Sequence, residues 1–268
     1  MKPFDELTLA DDFMFSKIME KPELCKKLVE IILRREIDHI EIKETQYSIS
    51  PYYRRKGVRL DAFLKDGMNT VYNVEMQTSD FEDLPKRSRY YHSIIDAERL
   101  QKGQDYSELG DSYVIFICTK DIFKENKCVY TFKNYCSEVK GLKLLDGSTS
   151  IFVNPYGNME NINKELSNFL RYLASNEACD AFTQEIDELI IDIKADGEGR
   201  MAYMKYEADM MDARREGKRE GLAQGKREGI EAKAITVYKN CLARGFSKED
   251  AIAISEISEE TLAKIESE

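Results

Sequence analysis

The stretch GVRLDAFLKDGMNTVYNVEMQTS, Gly57–Ser79, holds two apolar runs joined by a turn, and both runs carry groups that core strands normally exclude. Asp61 interrupts VRLDAFL, and Glu75 and Gln77 interrupt VYNVEMQ. KDGMN supplies turn residues, so the two runs predict a β-hairpin. Strand residues two apart share a face. Val71, Asn73, Glu75 and Gln77 therefore project one way, and Tyr72, Val74 and Met76 the other. A hairpin closed around Gly67–Met68 sets Asp61 nearly opposite Glu75, and directly opposed residues stand roughly 5 Å apart.

Two carboxylates so close repel each other unless a proton or a cation lies between them. A hard divalent cation such as Mg²⁺ takes one or two carboxylates and completes its shell with water. Such a cation acidifies a bound water and offsets charge on a phosphoryl group, and Gln77 on the same face is placed to hydrogen-bond that water. Read from these residues alone, two accounts stand: a metal site, or the solvated polar faces of an edge hairpin.

The surrounding pattern extends the hairpin into a fold. DDFMFSKIMEKPELCKKLVEIILRR predicts two helices, the second with Pro22 in its first turn and an apolar stripe of Leu24, Leu28, Ile31 and Ile32. DHIEIKETQYSIS alternates as a strand does, and SPYYRRKG is a basic loop. After the hairpin, DLPKRSRYYHSIIDAERLQKG predicts a helix ended by Gly103, and SYVIFIC a strand covered on both faces. The order helix, strand, strand, strand, helix, strand implies an α/β core with a mixed sheet. KCVYTFK and TSIFV predict further strands, and beyond about Asn161 the signals are all helical.

Four units are expected: a core at 1–155, a helical extension packing on it at 156–212, a glycine-repeat helix or linker at 213–233 and a small helical module at 234–268. In the third, Gly217, Gly221, Gly225 and Gly229 recur at every fourth position. Each glycine in a helix interior costs about 1 kcal/mol relative to alanine, so the row implies either a connector or a face for close helix approach and self-association. Ser247 and Ser258 suit N-caps of two short terminal helices.

The chain has 268 residues and a net charge of −10, so it is no general binder of polyanions. Contact with a nucleic acid would need local basic groups. Arg54, Arg55, Lys56 and Arg59 precede Asp61, and Lys86, Arg87 and Arg89 open the next helix; both groups are candidates for phosphate contact. Six scattered cysteines without a CxxC pair, and two histidines, argue against structural zinc and for free thiols in a reducing cytoplasm. No signal peptide and no membrane span is expected. Tyr90 and Tyr91 read mainly as core residues, with base stacking as the other option.

Through these segments the chain resembles the PD-(D/E)XK nuclease superfamily and, within it, the recombination-promoting nuclease and transposase (Rpn-like) family. The resemblance is carried by LADDFMFSKIM, VRLDAFLKD, YNVEMQ, LPKRSRYYHSIIDAERLQKGQDYSEL, the repeat EGKREGLAQGKREG and the terminal GFSKEDAIAISEISEETLAKI. It implies a restriction-endonuclease-like αβββαβ core followed by an all-α extension, and Mg²⁺-dependent cleavage of DNA phosphodiester bonds in recombination or mobile elements, with Mn²⁺ or Ca²⁺ as other candidate ions. Asp61 and Glu75 match the metal-binding acids, with the backbone carbonyl of Met76 as a further ligand. Asp12 matches an acid that some members place on the first helix. Gln77 stands where the superfamily signature has lysine, and a neutral amide holds a hydroxide less well than a cation does. The alternative is a nuclease fold that has lost most of its catalysis and works through protein partners.

Overall fold

The computed structural model describes residues 2–38, 40–49, 58–78 and 82–266; the side chains at 40–49, 58–61 and 266 lie outside that description. By contact density the chain divides into two compact units, Met1–Tyr203 and Met204–Glu268.

In the first unit, helices α1 (Asp12–Met19) and α2 (Pro22–Leu33) lead into β1 (Ile40–Ile49), β2 (Val58–Asp66) and β3 (Val71–Gln77). Helix α3 (Leu84–Arg99) then leads to β4 (Ser112–Cys118), followed by β5 (Val129–Phe132), β6 (Ser148–Val153), α4 (Lys164–Ser175) and α5 (Ala181–Ala195). The αβββαβ order expected from the sequence is present. Among the described residues six strands form one sheet in the order β1-β2-β3-β4-β6-β5. β1, β2 and β3 pair antiparallel, β3–β4 and β4–β6 run parallel, and β5 returns antiparallel on β6. A parallel neighbour needs a long crossover, and α3 provides it between β3 and β4.

The hairpin turn follows from its residues. Asp66 accepts the amides of Met68 and Thr70 on Oδ1 at 2.9 Å each, and the Tyr72 hydroxyl donates to its Oδ2 at 2.8 Å. Asn69 takes the left-handed backbone (φ 64°) that asparagine tolerates best among non-glycine residues. Nearby, any Cβ at Gly110 would collide with the Asn69 carbonyl, so the loop entering β4 can lie against this turn only with glycine there.

Strand alternation divides the core. One face carries Phe63, Val71, Val114, Phe116, Cys118 and Phe152, covered by Leu84, Tyr91, Ile94 and Ile95 of α3. The same helix is tied to the sheet by polar bonds: His92 Nδ1 pairs with Ser112 Oγ at 2.7 Å, and Ser88 Oγ with Ser150 Oγ at 2.6 Å. α3 ends at Arg99 rather than at Gly103, because Leu100 already has extended backbone; Gly103 (φ 94°) serves the turn beyond. Ala62, Leu64, Tyr72, Val74, Met76, Ile115 and Ile117 are also buried.

Helix α6 runs unbroken from Gly197 to Ala243, through the glycine row. From Ala208 to Lys233 every residue is exposed, and a Cβ placed on Gly217, Gly221, Gly225 or Gly229 would meet nothing. In the second unit Ala234, Tyr238 and Cys241 of α6 form a core with Ala251 of α7 (Lys248–Ser255) and with Ile257, which precedes α8 (Glu259–Glu266). Ser247 and Ser258 accept the amides of Asp250 and Thr261 at 3.1 and 3.2 Å, as N-caps do. No helix among the described residues is long and apolar enough to cross a membrane.

Candidate functional site

β3 lies inside the sheet, and all seven of its residues are buried. This removes the edge-hairpin account of its polar groups: Asn73, Glu75 and Gln77 are 0%, 4% and 9% exposed. Buried carboxylates and amides persist only with partners, and here the partners come largely from α3. Parallel pairing sets Glu75 beside Phe116 and Gln77 beside Cys118, on the face that α3 covers.

Arg87 and Tyr91, one helical turn apart, reach down to the two polar strand residues. Arg87 Nη1 donates to Gln77 Oε1 at 2.8 Å, and Nη2 donates to the Tyr91 hydroxyl at 3.0 Å. The Tyr91 hydroxyl in turn stands 3.4 Å from Glu75 Oε2, and Arg87 Nη2 lies 3.8 Å from the same oxygen. Asn73 Nδ2 donates to the other oxygen, Oε1, at 3.2 Å. The guanidinium carbon of Arg87 lies 5.6 Å from the ring centres of both Tyr91 and Phe116, a setting that suits its flat, weakly hydrated cation. Burial works against that charge, but the Tyr91 bond and the nearby Glu75 carboxylate outweigh it and hold Arg87 above its usual range.

Asp12 opens α1 at the end of β3. Thr78 Oγ1, next to Gln77 in the chain, donates to Asp12 Oδ1 at 3.4 Å. The Asp12 side chain reaches solvent, yet crowding by protein pushes its carboxyl above the ordinary range, while the Thr78 bond and the charge of Arg87 oppose that rise. Cys118, beside Gln77, is no nucleophile at neutral pH: burial pushes its thiol up to about 12.

The expected site residues divide as follows. Glu75, Gln77 and Arg87 come together, and Asp12 adjoins them through Thr78. Met76 places its backbone between Glu75 and Gln77, and its side chain is buried. Asp61 lies in β2 by its backbone; the recorded β2–β3 pairs run from Lys65↔Val71 to Ala62↔Val74, one residue short of Asp61 and Glu75. The Asp61 side chain lies outside the described residues, as does that of Arg59, whose backbone pairs with Ser48. Arg54, Arg55 and Lys56 lie wholly outside them. Lys86 and Arg89 are exposed on α3, whereas Arg87, grouped with them from the sequence, turns inward.

Two members of the cluster, Tyr91 and Asn73, go beyond the sequence reading. Tyr91 is a core residue, as expected, but its hydroxyl serves the polar cluster. Asn73 carries one oxygen of Glu75. The available signal was the spacing of Arg87 and Tyr91 on a helix face that also holds Leu84, Ser88 and Ile95.

Among the described residues no three His, Cys, Asp or Glu groups stand close enough to hold a metal ion. The donor set is nevertheless of one chemical kind. Glu75 and Asp12 are carboxylates, and Asn73 and Gln77 beside Glu75 are neutral amides. Oxygen donors of this sort fit a hard divalent cation, and Mg²⁺ needs only one or two carboxylates from a protein.

The profile of the PD-(D/E)XK nuclease family transposases matches residues 10–211. No curated protein and no solved structure matches the chain. The matched span takes in α1, the whole sheet and the helices up to the early part of α6, so the chain belongs to the PD-(D/E)XK nuclease family transposases.

Proposed function

We infer that the chain is a metal-dependent deoxyribonuclease that hydrolyses phosphodiester bonds in DNA, in the service of recombination or of mobile elements. The observation that carries this reading is the burial of Glu75 on an internal strand, with its carboxylate held from both sides by Asn73 and by the Tyr91–Arg87 pair.

In this reading Asp61, Glu75 and the carbonyl of Met76 would hold Mg²⁺. When bound, the ion supplies a Lewis acid and an acidified water for attack on phosphorus. Gln77 orients: the bond from Arg87 to its Oε1 fixes the direction in which its amide stands toward a water or a phosphate oxygen. The charge that a lysine would bring to this position comes instead from Arg87, one hydrogen bond behind. Asp12, with its raised carboxyl, is the group suited to exchange a proton at the rim. Lys86 and Arg89, with Arg54, Arg55, Lys56 and Arg59, contact the DNA backbone and position it without reading bases. Positioning and fixed charge then supply most of the rate enhancement.

The test uses supercoiled plasmid with Mg²⁺ or Mn²⁺ and three proteins: wild type, Asp61→Ala and Glu75→Ala. Nicking or linearisation by wild type, lost in both variants and in EDTA, is the expected result. Equal cleavage by all three would refute the site. No cleavage by any of them would favour the second reading, a nuclease fold working through protein partners, which the neutral Gln77 at the lysine position supports.

A further inference from the structure

Asn73 has no exposed surface. It pairs with Phe63 on β2 and with Val114 on β4, and both of those residues belong to the apolar cluster under α3. Both cross-strand neighbours would suit an aliphatic side chain here, and asparagine is among the residues depleted from strands. The amide nitrogen donates to Glu75 Oε1 at 3.2 Å, while the carbonyl oxygen has no partner among the described residues. A buried acceptor left unpaired carries an uncompensated desolvation cost. The residue is therefore poorly chosen for packing, and its recorded side-chain bond goes to the candidate metal-holding acid.

We propose that Asn73 is a positioning residue for Glu75, fixing the carboxylate plane in which a divalent cation is received. The inference rests on the reading of Glu75 as a metal-holding acid. The terminal torsion of a glutamate is broad and soft, so a carboxylate anchored through one oxygen alone can still rotate. Tyr91 and Arg87 approach Oε2 from the helix, and Asn73 approaches Oε1 from the strand itself. Anchors on both oxygens set the plane, and a carboxylate with about four lone-pair sites keeps acceptor capacity beyond them. Outer-shell partners of this kind change metal affinity by about 10- to 100-fold when removed.

The test compares full-length wild type with Asn73→Leu and Asn73→Val, which keep an apolar filler and remove both polar atoms. Mn²⁺ binding is measured by calorimetry, metal-free thermal unfolding by circular dichroism and cleavage on plasmid. The expected result is that at least one variant folds with a melting temperature close to that of wild type, because relief of the unpaired carbonyl offsets loss of the bond to Glu75, with Mn²⁺ affinity lowered about 10- to 100-fold and cleavage lowered with it. A folded variant that binds Mn²⁺ as wild type does would overturn the inference. Failure of both variants to fold, or lost binding that merely tracks lost stability, would make Asn73 a packing residue and also overturn it. If wild type itself neither binds Mn²⁺ nor cleaves, the reading of Glu75 fails and the inference falls with it, a result distinct from the other two.

Discussion

Arg87 donates from Nη1 to Oε1 of Gln77 at 2.8 Å, so a helix residue sets which way round a strand amide stands. Gln77 backed by a guanidinium is a polarised donor with a fixed direction.

Arg87→Met removes one partner of Gln77 and the cation beside Glu75. Cleavage is expected to fall by about 10- to 100-fold, the range for outer-shell partners of metal ligands. Arg87→Lys should restore only part of it, because an ammonium lacks the planar fork that reaches Gln77 and Tyr91 together. Single-turnover rates on plasmid check this, and unchanged rates in both variants would mean that the Gln77–Arg87 bond is idle.

His92 makes stability depend on acid. It is buried against Ser112 and Ser150, and burial pushes its pKa down to about 4, opposed only in part by Asp146. An unfolded histidine takes up its proton near 6.5, so between these values the unfolded chain binds the extra proton. Stability from the neutral ring is therefore full above about pH 6.5 and declines as pH falls toward 4, by roughly 3 kcal/mol in total. Urea unfolding of wild type and His92→Gln from pH 7.5 to 4.5 should show a shallower loss in the variant, and parallel curves would contradict the assignment.

Asp66 is the hub of the β2–β3 turn, accepting two amides and the Tyr72 hydroxyl. Asp66→Ala strands three donors, two of them in the turn that sets the hairpin register, and is expected to cost about 3 kcal/mol, given about 1–3 kcal/mol for each unsatisfied buried group and incomplete additivity. Burial, together with the bond to Asp66, pushes the Tyr72 hydroxyl up to about 12. A lowered urea midpoint with unchanged slope is the signature to look for.

The glycine row of α6 offers room without resistance. Gly221→Ala and Gly225→Ala place a methyl where nothing stands, so each should stabilise the helix by about 1 kcal/mol. Amide hydrogen exchange across 208–233 should slow in the double variant. Faster exchange there would mean that the row needs its glycines for some contact.

Much of the centre was legible because strands obey a period of two. The alternation of Asn73, Glu75 and Gln77 and the turn chemistry at Asp66–Asn69 led to a register that the recorded pairs, up to Ala62↔Val74, bear out. The inward turn of Arg87 was not legible in the same way. Beside Lys86 and Arg89 it reads as one of three solvated cations, and only the position of Gln77 and the rings of Tyr91 and Phe116 draw it under the helix. Gly103 misled for a related reason: a strong helix-stop residue lay nearby, but the extended backbone at Leu100 had ended α3 earlier. The depth of β3 depends on β4 and β6, which lie far along the chain and leave no local mark on VYNVEMQ.

That depth has a consequence for the order in which the molecule is made. Glu75 and Gln77 leave the ribosome well before Phe116, one of the two rings beside the Arg87 cation, and before Phe152, which stacks on Phe116 with ring centres 5.4 Å apart. β2 and β3 can pair at once through their short turn, but the parallel partner must wait for the α3 crossover. A nascent or truncated chain that stops short of β4 therefore carries Glu75 and Gln77 without the floor that organises them. Synthesis itself delays assembly of the buried polar cluster until the sheet is nearly complete.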